Sequence, residues 1–217
     1  MTPLPFWSAR SRHLINSHAL AILTLCVCSL LFSVSSCAQS NAITLSRNLG
    51  ELVLESDTVV QGWVTSVTVE PHAQLKNLMT VIVAIRVEDT LKGSTTNSYT
   101  FRQAVIDRKD LREELGYRTG QHLLMILYKT SQFGLTSPAG MEQGRFRIES
   151  ASNGKLMATN GFGNAGLFRG LDSQLKARSV QVEPEIQAMI LNPGVGAASL
   201  EQLKSLIRTI AATKSAK

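Results

Sequence analysis

Between Thr58 and Val69 the chain reads Thr-Val-Val-Gln-Gly-Trp-Val-Thr-Ser-Val-Thr-Val, dense in β-branched residues and free of proline until Pro71. Such side chains are stiff about χ1 and pack well on a pleated surface, so the run predicts one long strand that Pro71 stops. Gly62 inside it predicts a bulge or sharp bend, a device that lets a sheet curl toward a barrel.

The rest of the body reads the same way. Leu78 to Val87 predicts a second strand, leaving through the turn-rich Glu88-Asp89-Thr90-Leu91-Lys92-Gly93. Tyr99 to Val105 predicts a third, and the charged Asp107 to Leu115 a helical or irregular excursion. Gly120 releases a fourth, Gln121 to Tyr128, apolar on both faces and therefore central. A fifth is split between Arg145–Ile148 and Lys155–Ala158 by the turn Ser152-Asn153-Gly154. Leu45, Leu49, Leu52 and Val53 predict a short helix capped by Thr44 and ended near Asp57. Pro184 and Pro193-Gly194 punctuate loops, and Ser199 opens a helix with Leu200, Leu203, Leu206, Ile207 and Ile210 on one stripe. The expected fold class is mainly β: a five-stranded antiparallel barrel with a short N-terminal helix and a C-terminal docking helix.

All three cysteines, Cys26, Cys28 and Cys37, lie in or just after an apolar run near the amino terminus. Arg10, Arg12 and His13 precede it, Ala19 to Val34 forms it, and Val34-Ser35-Ser36-Cys37 ends it, the order of an export signal. Thr24, Ser29 and Ser33 interrupt the run, which falls short of the ~20 apolar residues of a membrane span. Val34-Ser35-Ser36-Cys37 resembles the lipobox of bacterial lipoproteins, in which the cysteine is acylated and becomes the new amino terminus. Ser36-Cys37-Ala38 before Gln39 equally satisfies ordinary signal cleavage, so both ends stay open. Acylation at Cys37, with no Asp following, implies an outer-membrane lipoprotein facing periplasm or exterior; the other cut implies a soluble periplasmic or secreted protein.

The expected organisation is a signal peptide over 1–36, a tether over 37–43, an OB-like barrel domain over 44–160 and a C-terminal extension over 161–217 whose helix packs on the barrel. The thiol-free body must fold without disulfides, and about 180 residues suffice for one real core. Losing Arg10 and Arg12 with the leader lowers the formal charge from +6 to +4, too mild to suggest nucleic acid.

Two resemblances rest on local motifs. Ser56-Asp57-Thr58-Val59-Val60-Gln61-Gly62-Trp63-Val64, Val87-Glu88-Asp89-Thr90-Leu91-Lys92-Gly93, Gly120 to Leu127, Gln143-Gly144-Arg145-Phe146-Arg147 and Asn164-Ala165-Gly166-Leu167-Phe168 resemble a set of uncharacterised bacterial exported proteins. Asp57 to Leu127 is more distantly similar to the amino-terminal domain of the tissue inhibitors of metalloproteinases and to netrin-like modules. Both resemblances imply an OB-type five-stranded barrel. Those inhibitors chelate zinc through an amino-terminal cysteine pinned by disulfides. An acylated Cys37 has a blocked amine and no second thiol holds it, so that chemistry does not carry over.

Sharper readings compete with plain ones. Gly161-Phe162-Gly163-Asn164-Ala165-Gly166 spells the dinucleotide fingerprint but lacks an alternating strand–helix context, which favours a flexible surface loop. His72 and His122 would need carboxylates such as Asp107, Glu113 or Glu114 to hold zinc. His122 reads as a rim residue with a satisfied hydrogen bond, and His72 as solvated. Glu113-Glu114 reads as a solvated face, and no Gly-x-Ser-x-Gly elbow marks a serine hydrolase. Arg145-Phe146-Arg147 reads as ordinary strand alternation, and Trp63 as core. The expectation is therefore a non-enzymatic exported module with no catalytic residue, metal or cofactor, lipidated at Cys37 and touching the membrane through that anchor only. Its partner is an unknown protein or small ligand and not nucleic acid. The rival is a regulator of a secreted metalloprotease acting by steric occlusion through Pro71–Asn77 and Gln132–Met141.

Overall fold

A computed structural model describes residues 45–192 and 196–214. The expected signal peptide, the Cys37 lipidation site and the 37–43 tether lie outside them. Among the described residues no helix is long and apolar enough to cross a membrane.

Helix α1, Leu49–Glu55, opens on a capping box: the Asn48 side chain accepts from the Glu51 N–H while the Glu51 carboxylate accepts from the Asn48 N–H, both at 3.0 Å. Asn48, not Thr44, is the cap, and Leu45 accordingly sits outside the helix and exposed. Strand β1, Thr58–Pro71, pairs with β2, Met79–Lys92, along its length and with β4, His122–Leu127, over Thr58–Trp63. Strand β3, Ser98–Val105, pairs with β2. Helix α2, Arg108–Arg112, and the 3-10 turn Glu114–Gly116 connect β3 to β4. β5, Arg145–Ser150, and β6, Leu156–Asn160, form a hairpin beside β4. Helices α3, Leu171–Ala177, and α4, Pro184–Leu191, follow, then a short β7, Ala198–Ser199, and α5, Leu200–Lys214. The expected loop at Pro184 is instead a helix start, because the first turn has no use for the amide that proline lacks.

These strands make one antiparallel sheet of seven, ordered β3-β2-β1-β4-β5-β6-β7, which is not closed into a barrel. Where five strands were expected, the split fifth is two separate strands, β5 and β6, and β7 adds an edge. Bulges lie between Val59 and Val60, Gln61 and Gly62, and Val64 and Ser66, so β1 bends at the predicted glycine. The bend folds the sheet over itself. Val60, Val64, Val81, Val83, Ile85, Phe101, Leu123, Met125 and Leu127 form an inner core with the fully buried Tyr117, whose ring meets Phe101 of β3 edge-on. Tyr117 donates to Gln103 Oε1 at 3.0 Å, and burial pushes its hydroxyl pKa up. Alternate residues Val59, Leu124, Ile126, Phe146, Ile148 and Ala158 face outward, under α1, α3, α4 and α5.

β3 finds no β5 partner across the mouth of the curl. The segment after β4 stands in: Thr136 N–H donates to Arg102 O at 2.9 Å. Arg145, Arg147 and Glu149 alternate with the outward core residues Phe146 and Ile148, so the inner face of β5 is polar and offers the inner core no apolar cover.

The motifs behind the resemblance are structural. Lys92 donates to the carbonyls of Val53 and Ser56, placing a cation at the C-terminal end of α1. Gln143 accepts from the Arg47 N–H at 2.7 Å and donates to Leu45 O at 3.1 Å, fastening the segment before α1. Asp89 joins α5 to β2 through Lys204 at 2.8 Å and Arg208 at 2.6 Å. Burial works to raise the Asp89 pKa, yet these two cations outweigh it and hold the carboxyl below its ordinary value.

Candidate functional site

The two rim loops named from sequence meet. His72 is buried, not solvated as expected: its Nδ1 accepts from the Gln74 and Leu75 N–H groups at 3.1 and 3.0 Å. The proton therefore sits on Nε2, which donates to Phe133 O at 2.9 Å. Ser131 and Leu135 close the second loop, with Ser131 N–H donating to Leu135 O at 2.8 Å. Phe133 stands at its tip, 42% exposed. His72→Ala is expected to cost about 1–2 kcal/mol and to speed hydrogen exchange at the Gln74 and Leu75 amides, read by exchange mass spectrometry.

His122 lies on the outer face, opposite Trp63 in the ladder. The two rings stack with centroids 4.3 Å apart and planes 12° from parallel. Trp63 Nε1 donates to Glu88 Oε1 at 2.7 Å, and His122 Nε2 lies 2.9 Å from Glu88 Oε2. Gln61 Nε2 donates to Glu88 Oε2 at 3.1 Å, while its buried Oε1 has no partner among the described residues. Trp63 is thus not core: with Val60 and Val64 inside the curl, strand alternation sends residue 63 outward. Burial holds the His122 pKa below the ordinary imidazole value, against the upward pull of Glu88 and with help from Lys204 and Arg86.

The arrangement is a carboxylate-anchored aromatic pair. Neither the cleft beside Arg145 nor the hollow beside Lys92 and Arg208 is lined by His122.

The other sequence candidates stay apart. Asp107 caps α2, its Oδ1 accepting from the Lys109 N–H at 2.8 Å, and Glu113 is exposed. Among the described residues no three His, Cys, Asp or Glu side chains group to hold a metal ion. The Gly161–Gly166 segment is a locked series of turns and not a flexible loop. Asn160 Oδ1 accepts from the Phe162 and Asn164 N–H groups, and Asn164 Nδ2 donates to Ala158 O and Gly196 O.

Sequence reasoning missed a cleft at the mouth of the curl. About 330 Å³ in volume, it is lined by Arg118, Arg145, Arg147, Gln121, Leu123, Thr159 and Glu142 among others. Arg145 lies over the Tyr117 ring at 4.7 Å, donates to Leu115 O and pairs with Glu142 at 2.6 Å. The alternation of Arg145 and Arg147 about the buried Phe146 was legible. That their face meets the Arg118 loop depends on register with β4, which no local pattern encodes.

A scan against family models and searches of curated proteins and of solved structures returned no match to this chain.

Proposed function

We propose that this chain is an exported, lipid-anchored, non-enzymatic interaction module, with β1 to β5 an OB-like barrel opened between β3 and β5. The barrel reading is supported by β1 pairing with both β2 and β4, by the bend at Gly62 and by the Thr136–Arg102 bond across the seam. Export and anchoring are supported by the leader pattern that ends at Cys37. The observation that carries the interaction role is the His72–Phe133 bond. It welds two loops from different parts of the chain into one ridge and fixes the main chain that carries an exposed aromatic. A loop whose main chain is already ordered has less freedom to lose on binding, which favours its tip residue as an anchor.

The same ridge favours the rival reading, steric occlusion of a secreted metalloprotease, because it joins the two loops that reading invokes. Both are tested by immobilising the full chain and its Phe133→Asp variant against an envelope and secreted-protein extract. The expected result is a protein captured by the wild type and lost, at least about tenfold, with the variant. If that protein is a metalloprotease slowed by the wild-type chain, the rival holds; identical capture by both chains contradicts the ridge as the contact surface.

A further inference from the structure

We propose that the cleft at the mouth of the curl binds a phosphate monoester. The inference deepens the binding-module reading by naming a small ligand, and it uses a surface separate from the Phe133 ridge. Three guanidinium groups from two elements converge on one hollow. Arg145 and Arg147 come from the inner face of β5, and Arg118 comes from the loop between the 3-10 turn and β4. Register puts Arg147 beside Leu123 on β4 and Thr159 on β6, so the cleft has an apolar floor and a hydroxyl on its wall.

One guanidinium and the main chain of the loop are held in place before any ligand arrives. Arg145 is fixed by the Tyr117 ring, the Leu115 carbonyl and Glu142. The Arg118 loop is fixed by Gln121, whose Oε1 accepts from the Arg118 N–H at 3.0 Å and whose Nε2 donates to Gly116 O at 3.2 Å. Gly161 leaves the wall low, since a Cβ there would stand 2.7 Å from Glu142.

Charge selects the ligand class. Glu142 compensates Arg145, whereas Arg118 and Arg147 have no ion-pair partner among the described residues. Two uncompensated cations match a group carrying about −1.5 to −2 at pH 7, the charge of a phosphate monoester. A carboxylate would leave one of them unmatched. Guanidinium forks suit phosphate oxygens, and about 330 Å³ leaves space for a small organic group on the ester.

The test is calorimetric titration of the full chain with inorganic phosphate, glycerol 1-phosphate, dihexanoyl phosphatidic acid and acetate. Saturable binding of the phosphates is expected, with acetate at least about tenfold weaker. Arg118→Ala and Arg147→Ala should each weaken phosphate binding about tenfold, the worth of a charge-assisted hydrogen bond. Both residues are exposed, so their variants should melt with the wild type. Lys155→Ala, an exposed charge on the β5–β6 turn, and Phe133→Asp on the ridge should leave affinity within about twofold. Tighter binding of the phosphatidic acid assigns the ligand to a lipid headgroup; its exclusion in favour of glycerol 1-phosphate assigns it to a soluble ester. No saturable binding, equal affinity for acetate, or an equal loss in Lys155→Ala overturns the proposal. Retained phosphate binding in a Phe133→Asp chain that has lost its protein partner reads the two surfaces apart.

Discussion

Gly62→Ala is expected to destabilise the protein by at least about 3 kcal/mol, lowering its melting temperature by about 6 °C or more. A Cβ at residue 62 would stand 2.1 Å from the Arg86 carbonyl oxygen and 2.8 Å from Ile85 Cγ2. The first contact is with backbone, so no side-chain rotation relieves it. Relief requires β1 and β2 to separate at the bulge, and β1 is also the strand that pairs with β4. Disruption there spreads to both sides of the sheet and to the inner core wrapped by it. Gly120→Ala supplies the contrast. Its added Cβ meets nothing within 4 Å, and the cost is the left-handed backbone at φ +85 alone, about 1–2 kcal/mol. Melts that place Gly62→Ala level with wild type would mean that the close approach of β1 and β2 is not a feature of the folded protein.

That glycine also shows what a linear reading reaches. Its place inside a β-branched run betrays a bulge, because glycine inside a strand has few other uses, and the bulge lies there. The C-terminal helix was legible for a similar local reason: one apolar stripe, all of it buried. Closure was not legible. Whether a curled sheet shuts is decided by what lies on facing edges far apart in sequence. Here Arg145 and Arg147 turn the inner face of β5 polar, and the loop carrying Thr136 occupies part of β3. Helices α3 and α4 escaped because they are short and carry few periodic residues, so packing on the outer core defines them more than pattern does.

The candidate surfaces divide in the same way. His122 was legible as a rim residue from its place at the start of an apolar strand, but its Trp63 and Glu88 partners come from two other strands. His72 read as solvated because Pro71 and polar neighbours surround it in sequence. It is buried because three hydrogen bonds, one to a residue 61 positions away, satisfy its ring.

The second large effect is expected at Cys37, where the proposed anchor is all or none. Each buried acyl methylene contributes about 0.8 kcal/mol, and stable attachment takes two chains, so a diacylglyceryl group holds the chain on the membrane and its absence releases it. Cys37→Ala removes the only thiol that acylation could use at that position, while leaving the thiol-free body after it unchanged. Fractionation should therefore move the protein from membrane to soluble fractions without changing the melt of the folded domain.

Intact-mass analysis of the wild-type chain from the membrane fraction, beside Cys37→Ala, tests the exported and anchored module most directly. The expected result is a chain beginning at Cys37 with a diacylglyceryl increment that the variant lacks. An unmodified soluble chain beginning at Gln39, or an uncleaved chain beginning at Met1, would contradict it.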